Sequence, residues 1–469
     1  MTTTSPTAVG AAFRFDRRAW TALLVLCTAV LFEGMSLSAI NVQLAGIRAG
    51  LSLGPDRLQL VAGAFLVAYA GLLLAGGTAA DRWGGRRVFL AGVAVFGAGS
   101  LGAALAQGAF SLVAARAVQG AGAAITAPAA VSLIVASFPE GSPRNRALGV
   151  FSAMGAVGFS LGVVTGGLLT AGFGWRGGFV LYVPLTLLVL VVGGRVLKPS
   201  AAPAAARRPL PYGSALLVTG GLAALVHGVG RVGSASFAEV GAVAGTGLLA
   251  VLAFLAVQRR AASPLLPLGL VTDRRMAAAC VALGGAFAGI TGAMFLVATD
   301  LQDRQGLSAL AAGLAFLPQG IAVGVLSTPA ARLADRRPPT LLLLSGLAVI
   351  TAGQLLYTTV WSGAYVTHLL PAALLVGAGI AVAYPAAVML AGVAATRENQ
   401  GTASGTLVTC QQAGGALGVA VVTGIQSTTP GVFWTGPYGL WACFGFAALA
   451  LVTCAALLAR RGGRTEASQ

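Results

Sequence analysis

The sequence predicts an all-α integral membrane protein with fourteen transmembrane helices, arranged as six, two and six. Three observations carry this. Of 469 residues, 57% are hydrophobic and only 9% are charged, a composition that no water-soluble chain of this size needs. Apolar stretches of about twenty residues, long enough to cross a bilayer as a helix, recur from end to end. The net charge of +17 is gathered in short basic clusters between those stretches, a pattern that encodes topology and argues against a nucleic-acid partner.

The first six spans are expected at about residues 20–41, 57–79, 86–106, 109–136, 146–170 and 176–197. A linker rich in Pro, Ala and Arg runs from Ala201 to Pro211, and two more spans follow at about 214–230 and 237–257. The last six are expected at about 276–300, 309–330, 339–360, 366–391, 403–425 and 438–459. The chain thus divides into an N-terminal six-helix bundle (1–198), a linker with two extra helices (199–275) and a C-terminal six-helix bundle (276–469). Arg14, Arg17 and Arg18 ahead of Trp20 look like the start of a signal peptide. The span behind them is long and carries Glu33, so it reads as a retained first helix.

Twenty-three of the 29 basic residues fall on one alternate set of loops and tails, and only Arg48, Arg57, Arg176, Arg231 and Arg304 on the other. That asymmetry places both termini in the cytoplasm. Trp175, Trp361, Trp434, Tyr438 and Trp441 fall near the outer ends of spans, where an interfacial belt is expected. Asp81-Arg82 follows the second span, and Asp335-Arg336 follows the second span of the last six. Parallel halves of this kind imply alternating access about a central site.

Glu33 is the residue with the sharpest chemistry. A carboxylate at membrane depth costs ~3 kcal/mol on insertion scales, so its default reading is a proton, ion or substrate site. Arg116 also lies inside a span, and each of the two stands about eight residues from the outer end of its predicted span, ~12 Å deep. The two are expected to meet. A guanidinium beside a carboxylate makes protonation costlier, and a cationic substrate would do the same, which is a physical basis for exchanging substrate against proton. The alternative is a permanent structural ion pair.

Three motifs stand at the expected places. Gly77, Asp81, Arg82, Gly84, Arg86 and Arg87 surround the turn between spans two and three, and Leu112 to Gly122 includes Arg116, Gln119 and Gly120. Gly158, Gly162, Gly166 and Gly167 form a small-residue ridge on span five. Together with Trp175 to Pro184, Gly306 to Pro318 and Gly401 to Gly418, these segments resemble the major facilitator superfamily, and within it the fourteen-span drug:proton antiporter group. The resemblance covers nearly the whole chain. It departs at Gly85, where a basic residue is usual, at Val163, where the antiporter motif has proline, and at Tyr182, where Asn is usual. It also departs at Ser36, which holds the usual aspartate position of the first span, with Glu33 one helical turn before it on the same face.

The resemblance implies a major facilitator fold of two pseudo-symmetric six-helix bundles around a central cavity. It implies proton-coupled efflux of amphiphilic, cationic or neutral drugs or antibiotics, with Glu33 carrying the proton and Arg116 tuning it. In the family, the carboxylate at Asp81 contacts the inner start of a helix in the opposite half, here the one opening near Thr402, and latches the outward-facing state. Gly77, Asp81, Arg82, Gly84, Arg86, Arg87, Asp335 and Arg336 would then form the conformational switch. A role in topology alone is the other reading of that loop.

Ser36, Asn41, Gln119, Gln302, Gln411 and Gln412, with Phe32, Phe65, Tyr69, Phe295 and Tyr384, are candidates for the cavity wall. Asp300 either extends the acidic surface of that cavity or is, with Asp303, a solvated rim charge. His227 and His368 are the only histidines and read as polar packing residues. The five cysteines show no CxxC pair, so neither disulfides nor a metal site is expected. No GxxxxGK[ST] loop occurs, so the expected energy source is a proton gradient, with no ATP and no cofactor. Loops this short leave no room for a soluble catalytic domain, so the chain is not read as an enzyme. Arg, Ala and Gly richness points to a bacterial cytoplasmic membrane. Export of an endogenous lipid or metabolite, proton-symport uptake, and a non-transporting sensor or scaffold remain as alternatives.

Overall fold

A computed structural model describes residues 16–198, 212–261, 264–334, 336–359, 365–395, 400–427 and 438–459. Asp335, the 199–211 linker, Trp361 and Trp434 lie outside the described residues. Among the described residues, fourteen helices are long and apolar enough to cross a membrane. The first six are α1 (Arg17–Leu51), α2 (Asp56–Trp83), α3 (Gly85–Ala104), α4 (Ala109–Ser137), α5 (Ser142–Phe173) and α6 (Trp175–Val196). The extra pair is α7 (Tyr212–Gly230) and α8 (Phe237–Arg260). The last six are α9 (Arg274–Asp303), α10 (Ala309–Ala334), α11 (Pro339–Tyr357), α12 (Tyr365–Ala394), α13 (Gln400–Gln426) and α14 (Tyr438–Ala459). An even number of crossings puts residues 16 and 459 on one side, here called the inner side.

Local chemistry sets the helix ends. Asp16 caps α1 by accepting the Ala19 N–H at 2.7 Å, and Asp273 caps α9 by accepting the Arg275 N–H at 2.8 Å. Ser236 and Glu239 form a reciprocal capping box on α8. Gly84 turns the chain between α2 and α3 at φ +87°, a conformation open to glycine and strained for other residues.

The helix α1 runs ten residues beyond its expected end at Asn41, stopping at Leu51 before the left-handed Ser52. This extension changes the depth of everything on it. Trp175 is also not where it was expected: it is only 4% exposed, packed against Gly46 and Gly50 of α1 with the Arg176 guanidinium 4.2 Å from its ring. Tyr438 and Trp441, 69% and 49% exposed, do face outward as a belt would.

Within the first half α1 packs on α5, α2 on α4 and α3 on α4; the last six repeat this as α9 on α13, α10 on α12 and α11 on α12. Two seams join the halves, α2 with α13 and α5 with α10, and they are equivalent under the same repeat. The α5 ridge explains the tightest pairing. A Cβ on Gly158 would come within 2.6 Å of the Leu31 carbonyl, one on Gly162 would strike the Met35 backbone, and one on Gly166 would reach the Ala39 Cβ at 2.8 Å. Gly167 turns the other way, and its Cβ would meet the Ala309 carbonyl of α10 at 2.8 Å.

The halves are closed on the outer side. Arg48 at the outer end of α1 pairs with Asp303 at the outer end of α9 at 2.5 Å, and the Ser427 hydroxyl donates to Asp56 at 3.3 Å. On α10, Gly313 and Gly320 sit tightly against Val163 and Ser160 of α5, whereas Gly324, one turn further in on the same face, meets open space. Along the α5/α10 seam the halves therefore touch at the outer portion and part toward the inner side, while on the α2/α13 seam contact continues inward to Gly405, whose Cβ would reach the Leu74 side chain at 3.2 Å.

Overpacking the ridge tests this arrangement. Gly162→Leu should lower stability by about 1–3 kcal/mol or more, read as a drop in thermal unfolding temperature of the purified protein. Gly149→Leu, on the same helix with nothing within 4 Å, should leave it unchanged. Equal effects from the two would contradict the packing.

Candidate functional site

Glu33 lies near the middle of α1, eighteen residues before its outer end at Leu51. Its Oε2 accepts the Tyr69 hydroxyl of α2 at 2.7 Å, and its Oε1 accepts the Gln412 amide of α13 at 3.1 Å. Beside this cluster the Thr409 hydroxyl donates to the Ala70 carbonyl of α2 at 3.3 Å, a further bond between the halves. Glu33 is partly buried and keeps some accessible surface.

The glycines of both halves place these groups. Gly34 is held against the Gly155 carbonyl of α5, where a Cβ would come within 2.8 Å, and this sets the rotation of α1 at Glu33. Gly414 and Gly418 let α13 press directly on the backbone of α9 at Gly284 and Ala288, and Gln412 projects from that stretch. Chemically, both carboxylate oxygens act as acceptors. Protonation would make one of them an O–H donor and remove the negative charge, so both bonds would lose their charge assistance.

Arg116 does not meet Glu33. The expected contact assumed that α1 ended near Asn41; with α1 continuing to Leu51, Glu33 lies deeper than Arg116, which is seven residues from the outer start of α4. Arg116 Nη1 donates instead to Ser36 Oγ at 2.6 Å and Gln119 Oε1 at 2.9 Å, and its Nε to the Val61 carbonyl at 3.4 Å. Gln119 passes the chain on to Ser100 at 2.7 Å. The guanidinium sits 4.8 Å from the centre of the Phe65 ring. It is 1% exposed, its Nη2 has no partner, and it joins no ion pair among the described residues. Arg116 thus grips the residue at the family's aspartate position, while the acid itself sits one turn further in with different partners. The permanent Glu33–Arg116 ion pair is excluded in this conformation.

Other expected cavity residues have more local duties. Phe32 stacks on Phe96 at 5.6 Å and meets Tyr182 edge-on at 6.0 Å, inside the first bundle. Phe295 is buried in the apolar core. Asn41 and Gln302 donate to carbonyls of their own helices, Leu37 and Ala298, both at 3.0 Å. Gln411 is buried with its Oε1 unpartnered. Asp300 is neither a rim charge nor a cavity acid: it is 2% exposed and bound by Arg304 at 2.5 and 3.0 Å and by Gln305 at 2.9 Å. Asp303 is not a free rim charge either, since it holds Arg48.

At the inner turn, Arg86 donates to the Gly194 carbonyl of α6 and Arg87 is exposed. Gly77 has only ordinary contact with Pro128, while its neighbour Gly76 makes the close approach to α4 at Ala124. Asp81 is exposed and has no hydrogen bond or ion pair among the described residues, so the expected contact with the start of α13 is not made here. Arg336 is exposed. The sequence reading missed Thr409, Ser427 and the Arg48–Asp303 bridge. Its available signal was opposite charge at the matching outer ends of α1 and α9, the first helices of the two halves.

Comparison with known proteins agrees with this architecture. The model of the Major Facilitator Superfamily matches residues 26–419 and 281–468. The puromycin resistance protein pur8 of Streptomyces alboniger is 35% identical, covering 88% of this chain and 82% of its own. The cephamycin export protein CmcT of Amycolatopsis lactamdurans is 37% identical, covering 86% and 84%. Among solved structures, a peptide transporter crystallised with sulfate superposes with a TM-score of 0.67 at 19% identity over 94% of both chains, a likeness of fold. Fourteen helices in two repeated bundles, and relatives matched over most of their length, place the chain in the Major Facilitator Superfamily.

Proposed function

We propose that this protein exports amphiphilic antibiotics or drugs, cationic or neutral, across a bacterial cytoplasmic membrane in exchange for protons, with both termini in the cytoplasm. The observation that carries the reading is the Glu33 carboxylate, held at mid-membrane by Tyr69 from one half and Gln412 from the other. An ionisable group at that depth is costly and is kept where it works. Its position on the seam gives protonation a direct grip on how the halves meet, which is what coupling requires. The relatives named for puromycin resistance and cephamycin export support an antibiotic-like substrate.

In this scheme the described conformation opens to the inner side. Substrate enters between the halves, and a proton arriving from outside later exchanges with it at Glu33. The outer bridge between Arg48 and Asp303 must break for release, and Asp81 would then engage the inner start of α13. Arg116 acts through Ser36, fixing the stretch of α1 that carries Glu33.

Two measurements test the proposal. In proteoliposomes with an imposed pH gradient, the wild type should accumulate ethidium and Glu33→Gln should lose gradient-driven movement. Movement unchanged in Glu33→Gln would relocate the proton site, and a wild type that moves neither ethidium nor puromycin would remove the drug-export reading. Gln412→Leu deletes one hydrogen bond to a charged group, worth about 1.5–3 kcal/mol, and so should cut gradient-driven transport roughly ten- to a hundredfold. A Gln412→Leu protein that transports at the wild-type rate would show that the bond across the seam is not part of coupling.

A further inference from the structure

The two seams between the halves are equivalent by the internal repeat, yet the helix pair between the bundles covers only one of them. α7 lies along the α2/α13 seam and touches both helices. Toward α2 the fit is interlocked. Thr219 fills the notch left by Gly71, the Gln59 amide donates to the Val226 carbonyl at 3.4 Å, and Gly230 seats against the same amide. Toward α13 the contact is made by small residues: Ala416 and Ala420 share the apolar cluster, and Gly424 lies close under α7, where a Cβ would come within 2.8 Å of the Val229 carbonyl.

α8 stacks behind α7 through Gly221, Gly228 and Gly247, turning Leu248, Leu249 and Leu252 outward. Beyond α8, Gln258 Oε1 accepts the Leu265 and Leu266 N–H groups at 2.7 and 3.4 Å. This returns both leucines to the apolar cluster that holds Leu66 and Ala70 of α2. Among the described residues nothing comparable covers α5 and α10, whose Leu161, Ile321 and Val325 are exposed.

Toward α2 the contact combines a filled notch with a hydrogen bond, which must both be broken for α7 to move, whereas toward α13 it is van der Waals contact between small residues, the kind that a shear motion of packed helices can shift. We infer that α7 and α8 ride on the N-terminal half as a lateral seal, keeping the α2/α13 seam closed to lipid while α13 slides beneath it. The α5/α10 seam is then the side through which an amphiphile dissolved in the bilayer reaches the site. The inference rests on the alternating-access reading, and its test separates the two.

The test uses the full-length protein in lipid nanodiscs, with the five native cysteines replaced and spin labels placed pairwise at three exposed outer positions. These are Gln107 between α3 and α4, Ser234 between α7 and α8, and Leu307 between α9 and α10. Asp303→Ala opens the outer bridge, and Arg48→Ala serves if that variant does not fold. Pulsed electron paramagnetic resonance distances between 107 and 307 should lengthen, those between 234 and 307 should lengthen with them, and those between 107 and 234 should not shift. A 107–234 distance that changes while 234–307 stays fixed would assign the pair to the other half. All three changing would mean that the pair rides on neither. Either result overturns the inference alone. A 107–307 distance unmoved in both variants would overturn the latch and the motion together.

Discussion

One carboxylate, tied to its own half by Tyr69 and to the opposite half by Gln412, links the two bundles near the middle of α1, and the rest of the structure depends on it. Glu33 is the acceptor common to Tyr69 and Gln412. Glu33 is only partly buried, but in a largely apolar surrounding each lost hydrogen bond is costly. A change in its proton content alters what its oxygens can accept, and one of its two partners belongs to the opposite half.

The scaffold is arranged to make that answer cooperative. The glycines of α5 fix α1 at Gly34, Gly158 and Gly162, and the glycines of α13 fix that helix to α9. Each half thus moves as a body. Arg116 completes the rigid side of the arrangement: it binds Ser36, Gln119 and the Val61 carbonyl and so ties α1, α2 and α4 together around the acid. The Arg48–Asp303 bridge holds the outer ends of the bodies, and at the inner side Asp81 makes no hydrogen bond or ion pair among the described residues. Closure at one end with an unmade contact at the other is the arrangement expected of one state of a two-state carrier.

The number and order of the spans were legible because apolar length and interrupting charge are properties of the chain alone. The glycine ridge was legible for the same reason, since its four-residue period is local, although its partner α1 was not. Depth was misjudged where a helix outran its apolar window. The stretch from Val42 to Leu51 contains Gln43 and Arg48, yet nothing breaks the helix before Ser52, and the pair Gly54-Pro55 was the available sign of its end. That error moved Arg116 onto Glu33 in the sequence reading and onto Ser36 in the structure. Asp300 and Asp303 were read as solvated because charges at a span end usually are, and only the fold brings Arg48 of another helix to Asp303. The bond from Gln412 to Glu33 joins residues 379 positions apart, and no local pattern announces it.

The most direct measurement of the central claim is proton release from purified protein in weakly buffered solution when ethidium is added, with binding followed in parallel by fluorescence. The account predicts that the wild type releases protons in proportion to ethidium bound, and that Glu33→Gln binds the dye without releasing any. Equal release from Glu33→Gln, or binding by the wild type with no release, would contradict it.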